Sequence, residues 1–186
     1  MKKTSVLMLL CVAFLFVGCG GNDMEATIDG TENSFDEVDI ALKADGTLYK
    51  LTATGTTGDP AKDGGSRVTL NMDLDKAFLD KLEAGKEYAI NGKSTFPDAD
   101  AAAAPVYAPN EDQVNAVRRI WVEYACADCK AAGKESQRIE GNVTFDDITD
   151  EQLTGTLDVT VKGGIPGWKN ADAEADIAVT FDVEIK

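Results

Sequence analysis

Residues 138–186 read RIEGNVTFDDITDEQLTGTLDVTVKGGIPGWKNADAEADIAVTFDVEIK, and three strands can be recognised in this part of the chain. Apolar and polar side chains alternate through three segments, which an acidic turn and then a glycine-rich loop separate. Because successive side chains of a strand point to opposite faces, the pattern predicts an antiparallel sheet with one apolar and one wetted face. The residues expected on the apolar face are Ile139, Gly141, Val143 and Phe145, then Leu153, Gly155, Leu157, Val159 and Val161, then Ala175, Ile177, Val179, Phe181, Val183 and Ile185.

The chain before this stretch must cover the apolar face, and it carries further strand patterns. Apolar residues alternate over 38–42, 49–53, 68–74 and 114–124, and a further strand begins at 88–90. Asp45-Gly46 joins the first two as a hairpin, Asp75 is placed to cap a short helix, and Asn91-Gly92 reads as a turn. Loops are expected over 54–66 and, among prolines, over 96–110. The fold predicted is all-β, an antiparallel β-sandwich or flattened barrel of about eight or nine strands with one short helix.

The N-terminus has the pattern of an export signal. Lys2 and Lys3 precede an apolar run, Val6–Val17, that is too short to span a bilayer. The run ends in Phe16-Val17-Gly18-Cys19, which resembles a bacterial lipobox, although Phe16 stands where that motif usually has Leu. The resemblance implies cleavage before Cys19 and lipidation of its thiol. The alternative is an ordinary signal peptide cut nearby.

These features divide the chain into a signal peptide (1–18), a lipidated Cys19 with a polar tether (19–36), and a single β-sandwich domain (37–186). Within the tether, Ala26–Ile28 could form a short first strand. The resemblance to lipoproteins implies a cell-envelope location, with the membrane as partner through the N-terminal lipid. Gly20 stands where an Asp often marks retention in the inner membrane. The expected location is therefore the outer membrane if the organism is Gram-negative.

Composition excludes several classes of function. The chain has 33 acidic and 18 basic residues, and residues 1–18 contain two of the basic ones, so their removal leaves a formal charge of −17. Such a charge opposes binding to nucleic acid and to anionic lipid head groups, both of which call for clusters of Lys and Arg. The sequence contains no histidine, which removes Ser-His-Asp triads, histidine bases and His-ligated metals. No catalytic residue and no cofactor are predicted.

Cys126-Ala127-Asp128-Cys129 is the most specific local motif. Once Cys11 leaves with the signal peptide and Cys19 is acylated, these are the remaining thiols, in an oxidising compartment. A structural disulfide between Cys126 and Cys129 is predicted. The redox alternative needs the motif at a helix N-terminus, whereas here a strand precedes it and a turn follows.

Two further sets of residues are candidates for ligand binding. Trp121 lies on the polar face of its predicted strand and Trp168 lies in a Gly/Pro loop, so either could stack on a sugar or anchor a protein. Both could equally cover a sheet edge. Asp146, Asp147 and Asp150 share one turn and are weak candidates for calcium, against the simpler reading of a solvated acidic turn.

The hairpin GNVTFDDITDEQLTGTLDVTV (residues 141–161) resembles the C-terminal hairpin of small, uncharacterised β-sandwich lipoproteins. That resemblance covers about the last quarter of the chain and implies a fold without an activity. The function expected is a membrane-anchored structural or binding module with a protein or glycan partner. The alternatives are a carbohydrate-binding surface protein and a CxxC thiol-disulfide enzyme.

Overall fold

The computed structural model describes residues 21–96, 105–129, 136–168 and 172–186. Eleven strands form two antiparallel sheets, which confirms the predicted β-sandwich; the sheets do not close into a barrel. In chain order the elements are β1 (Asp23–Ile28), β2 (Thr31–Asn33), β3 (Glu37–Asp45), β4 (Leu48–Thr57), β5 (Ser66–Asp75), α1 (Lys76–Leu79), β6 (Glu87–Thr95), β7 (Val106–Pro109), β8 (Val117–Cys126), β9 (Ser136–Ile148), β10 (Gln152–Gly163) and β11 (Glu174–Glu184).

The large sheet has the order β2-β1-β11-β10-β9-β6-β7, and the small sheet has the order β3-β4-β5-β8. The three strands read from residues 138–186 are the centre of the large sheet, where Leu157 pairs with Val143 on one side and Val179 on the other. The predicted inner residues are buried, except that Gly141 and Ile185 are half-buried. The alternation therefore identified both the pairing strands and the face that packs on the small sheet.

An aromatic pair lies in the middle of this core. Phe145 and Phe181 are both buried, and their rings meet edge to face with centroids 6.1 Å apart. Gly155 lies on the strand between them, and a Cβ there would come within 2.8 Å of Phe181 Cζ and collide with the Thr144 carbonyl oxygen. Glycine at this inner position makes room for the two rings.

The segment predicted as a tether over residues 19–36 belongs to the large sheet from Asp23 onward, and its first strand is longer than the one anticipated at 26–28. β1 pairs along its whole length with β11, and its Met24, Ala26 and Ile28 side chains are buried. The turn to β2 is Asp29-Gly30, where both residues have positive φ (50° and 72°), as the common two-residue hairpin requires.

The Asn91-Gly92 turn is also wrong, since both residues lie within β6. β7 pairs with Gly92–Thr95, and the Tyr107 side chain passes so close that a Cβ at Gly92 would collide with it. Part of the loop predicted over 96–110 is thus an edge strand, while residues 97–104 lie outside the described part of the chain. The loop predicted over 54–66 is shorter than expected, because β4 continues to Thr57.

Side chains and the C-terminus join the two sheets along both open sides. Gln137 of β9 accepts from the Val122 amide (2.9 Å) and donates to the Val122 carbonyl (2.5 Å), while Ser94 of β6 donates to the Ile120 carbonyl (2.5 Å). These bonds satisfy backbone groups on the outer edge of β8. On the other side, Ile185 forms a parallel bridge with Leu42 of β3.

The strand directions give the sandwich two distinct ends. The Asp23 end holds the start of β1, the Asp45-Gly46 turn, α1 and the turn over 149–151. The Asp29 end holds the Asp29-Gly30 turn, the loop over 58–65 and the Cys126–Cys129 turn. The predicted helix is present at the Asp23 end as α1, where the Asp75 carboxylate accepts from the Ala77 amide.

Candidate functional site

Trp121 lies at the centre of a polar face on the outside of the small sheet. Its neighbours Ile120 and Val122 are buried in the core, so Trp121 points outward and is half-buried, as the alternation indicated. We call this surface the Trp121 face. It consists of the outward residues of β4, β5 and β8, namely Lys50, Thr52, Thr54, Thr69, Asn71, Asp73, Arg119, Trp121 and Glu123.

The central row of the Trp121 face runs across three strands. Thr52 pairs with Asn71, and Asn71 pairs with Trp121. The Thr52 hydroxyl donates to Asn71 Oδ1 (3.3 Å), and Trp121 Nε1 donates to Glu123 Oε1 (2.6 Å). The bond to Glu123 orients the indole on the sheet, so an aromatic plane lies beside an amide, a hydroxyl and a carboxylate.

The two basic residues of this face, Lys50 and Arg119, are paired with aspartates. Arg119 donates from Nε to Asp73 Oδ2 at 2.6 Å, and only 2% of Asp73 is exposed. Lys50 lies 2.5 Å from Asp45, and the hydrogen bond between them raises the pKa of the lysine and lowers that of the aspartate. The face therefore carries hydroxyls, amides and two ion pairs, together with the Glu123 carboxylate that accepts from the indole.

Trp168 lies elsewhere and packs as a structural residue. Its ring meets Tyr124 edge to face with centroids 4.6 Å apart, and its Nε1 donates to Asp29 Oδ2 (2.8 Å). The other oxygen of the Asp29 carboxylate accepts from the Glu174 amide (3.1 Å). Tyr124 and Trp121 lie on opposite faces of β8, so the two tryptophans do not form one site. These contacts fit the alternative prediction for Trp168, in which it covers a sheet edge.

Cys126 and Cys129 are bonded to each other, with 5.0 Å between their Cα atoms. Cys126 ends β8 opposite Ser66, and the Cys129 amide donates to the Cys126 carbonyl (3.1 Å). The motif thus closes a turn after a strand. Residues 130–135, which follow the motif, lie outside the described part of the chain.

Asp146, Asp147 and Asp150 are exposed. Within the described ranges, no three His, Cys, Asp or Glu side chains come together as a set that could hold a metal ion. Their turn is instead closed by Thr149, whose hydroxyl donates to the Gln152 carbonyl (3.1 Å) and accepts from the Gln152 amide (2.9 Å). The solvated turn is the reading that this geometry supports.

Sequence reasoning identified Trp121 but missed Thr52, Asn71 and Asp73, which complete its surroundings. These residues lie far from Trp121 in the chain, and only the register of three strands brings them together. The alternating pattern already marks these residues as outward-facing in the sequence. Only the register between the strands shows that they lie beside Trp121.

Comparisons with protein-family models, with curated proteins and with solved structures return no match for this chain. Across the part of the chain that the structure describes, no helix combines the length and the apolar character that a membrane crossing requires. The function must therefore be argued from the chain itself.

Proposed function

We propose that this protein is a lipid-anchored, extracytoplasmic binding module of the cell envelope. The observation that carries the proposal is the N-terminal sequence, in which a positive start and a short apolar run end at Gly18-Cys19. The single sandwich and its side-chain bridges between sheets fit a rigid module that acts outside the cytoplasm. An enzyme is not proposed, since the sequence contains no histidine and no motif for lysine- or carboxylate-based catalysis.

Metabolic labelling with radioactive palmitate tests the anchor. We expect the label in the wild-type protein and its loss in Cys19→Ser, which should also leave the membrane fraction. Cys11→Ser is the matched control, because this cysteine lies within the segment that is cleaved, and it should keep the label. Membrane association of Cys19→Ser at wild-type level would contradict the proposal.

The Trp121 face favours a glycan as the ligand of this module. An aromatic plane offers a stacking surface for the apolar face of a sugar ring, while hydroxyl and amide groups beside it can meet the sugar hydroxyls. Thr52, Asn71 and the paired Arg119 supply those groups. The hydrogen bond to Glu123 orients the indole before binding, which lowers the entropic cost of association.

Pull-down on insoluble polysaccharides, including cell-wall material, tests this ligand class. We expect the polysaccharide to retain the wild-type domain and not the Trp121→Ala variant. The Trp121→Phe variant should be retained in part, because it keeps an aromatic ring. Val106→Ser is the control, since Val106 is a 68% exposed apolar residue on the edge of the other sheet. Equal retention of wild type and Trp121→Ala would exclude this face as the glycan site.

The thiol-disulfide alternative has less support, because the cysteine pair follows a strand and closes a turn. The test is reduction of insulin disulfides by the purified domain. We expect no turnover above that of a Cys126→Ser/Cys129→Ser variant. Turnover that depends on the pair would reverse the ranking.

A further inference from the structure

We propose that the Asp23 end of the sandwich lies against the phospholipid surface, held there by the short segment between the lipid and the domain. This inference rests on the proposed lipidation of Cys19. The domain would then keep its Asp23 end toward the membrane and would not move freely on a flexible tether.

The short distance along the chain from Cys19 to the first strand carries the inference. β1 begins at Asp23 and Met24 is already buried. Asn22 is held as well, because its Oδ1 accepts from the Asp182 amide of β11 (2.8 Å). Four residues span at most about 14 Å when fully extended, so a lipid on Cys19 keeps the start of β1 next to the head groups.

The chemistry of this end agrees with contact at a lipid interface. Lys76 lies over the Tyr49 ring (4.5 Å), Lys81 over the Phe78 ring (5.0 Å), and Lys86 over the Tyr88 ring (5.5 Å). Aromatic rings and long cationic side chains are the residues that suit the boundary between head groups and water.

The attraction of these lysines to anionic lipid is not what holds this end in place. Acidic residues lie among them, and Lys86 is paired with Glu83 (3.3 Å). The anchor itself supplies a high local concentration of the domain at the surface. We therefore expect the orientation to persist at high salt, where attraction between exposed charges is screened.

Energy transfer from single labels to head-group acceptors tests the orientation. Thr47→Cys places a donor at the Asp23 end, and Asp63→Cys places one at the Asp29 end, both at exposed positions. The 12 residues of β10 span roughly 36–40 Å, so we expect several-fold more transfer from residue 47 in the lipidated protein on vesicles. Labelling without reductant keeps Cys126 and Cys129 bonded.

A variant with a 15-residue Gly-Ser insertion after Gly21 is the matched control, and its two labels should transfer alike. Equal transfer from both positions of the vesicle-bound, uninserted protein would overturn the orientation while leaving the anchor intact. A chain that incorporates no palmitate would overturn the anchor, and the orientation with it. The two failures are thus distinguishable.

Discussion

At the scale of single residues, Phe181 and Thr180 separate the two faces of β11. Phe181 is 1% exposed against Phe145, whereas Thr180 is exposed. We expect Phe181→Ala to lower the free energy of unfolding by roughly 3–5 kcal/mol, since it leaves a cavity in the core. Thr180→Ala should cost less than about 0.5 kcal/mol. Urea unfolding of both variants checks this, and equal costs would mean that the inner face is misassigned.

Gln137 provides a second residue-scale prediction, because one buried amide serves the edge of another sheet. Its side chain is 0% exposed and bonds both backbone groups of Val122. Gln137→Leu leaves those groups buried without partners, so we expect a loss of roughly 1–3 kcal/mol for each of them. Asn142→Leu makes a similar change at an exposed position of β9. A cost no larger than that control's in urea unfolding would show that Gln137 does not hold the sheets together.

Because of Tyr107, we expect the stability of the fold to depend on pH in the alkaline range. Burial raises the pKa of its phenol above the usual value, and the hydroxyl donates a hydrogen bond to Gln113. A raised folded-state pKa adds stability that is complete below the unfolded value of about 10 and is lost as pH rises above it. Between pH 9 and 11 the wild type should therefore lose stability more steeply than Tyr107→Phe. Parallel slopes in thermal melts across this range would contradict the role of burial.

At the scale of elements, the strands predicted best are those whose partners follow them in the chain. β9, β10 and β11 could be read from alternation because each pairs with the next. β1 was predicted only as a short strand at 26–28 within a tether, since its partner β11 lies at the other end of the chain and its own apolar pattern is short. The turn prediction at Asn91-Gly92 was wrong because the sequence does not distinguish a turn dipeptide from a strand glycine that makes room for a neighbouring ring. Alternation predicted that Trp121 faces outward. It could not predict which residues of the neighbouring strands lie beside it.

The disulfide between Cys126 and Cys129 is an element-scale feature, because it fixes the turn after β8 and does not cross between sheets. The bond closes a ring with two intervening residues. It therefore removes little entropy from the unfolded chain, and its contribution should be well under the roughly 3 kcal/mol expected for a loop of 15 residues. Reduction should lower the melting temperature slightly and keep the β-type circular dichroism. Mass spectrometry after alkylation without reductant should find both cysteines unmodified; two alkylated cysteines in fresh material would refute the bond.

At the scale of the whole molecule, the sandwich is sealed along both sides and at one end. Gln137 and Ser94 close the side at β8, and the bridge from Ile185 to Leu42 closes the side at β3. Trp168 links the Asp29 turn to Tyr124 at the Asp29 end. Both sheets also present a polar outer face to solvent. The outer face of the small sheet carries Trp121 at its centre, and this ring is why the binding proposal is centred there.

The boundary of the folding unit gives the last prediction, which separates the observed fold from a tethered domain starting at residue 37. Removal of residues 19–36 would delete β1 and expose the edge of β11 along its full pairing with that strand. It would also remove Met24, Ala26 and Ile28 from the core, and burial of a Met or Ile side chain contributes about 1.5–3 kcal/mol. Domains are stable by only about 5–15 kcal/mol, so the chain that starts at residue 37 should be largely unfolded or aggregated. The chain that starts at Gly21 should fold, with a cooperative melt and β-type circular dichroism. A cooperative melt of the shorter chain at the same temperature would show that β1 is dispensable, and would restore the flexible tether between the lipid and the domain.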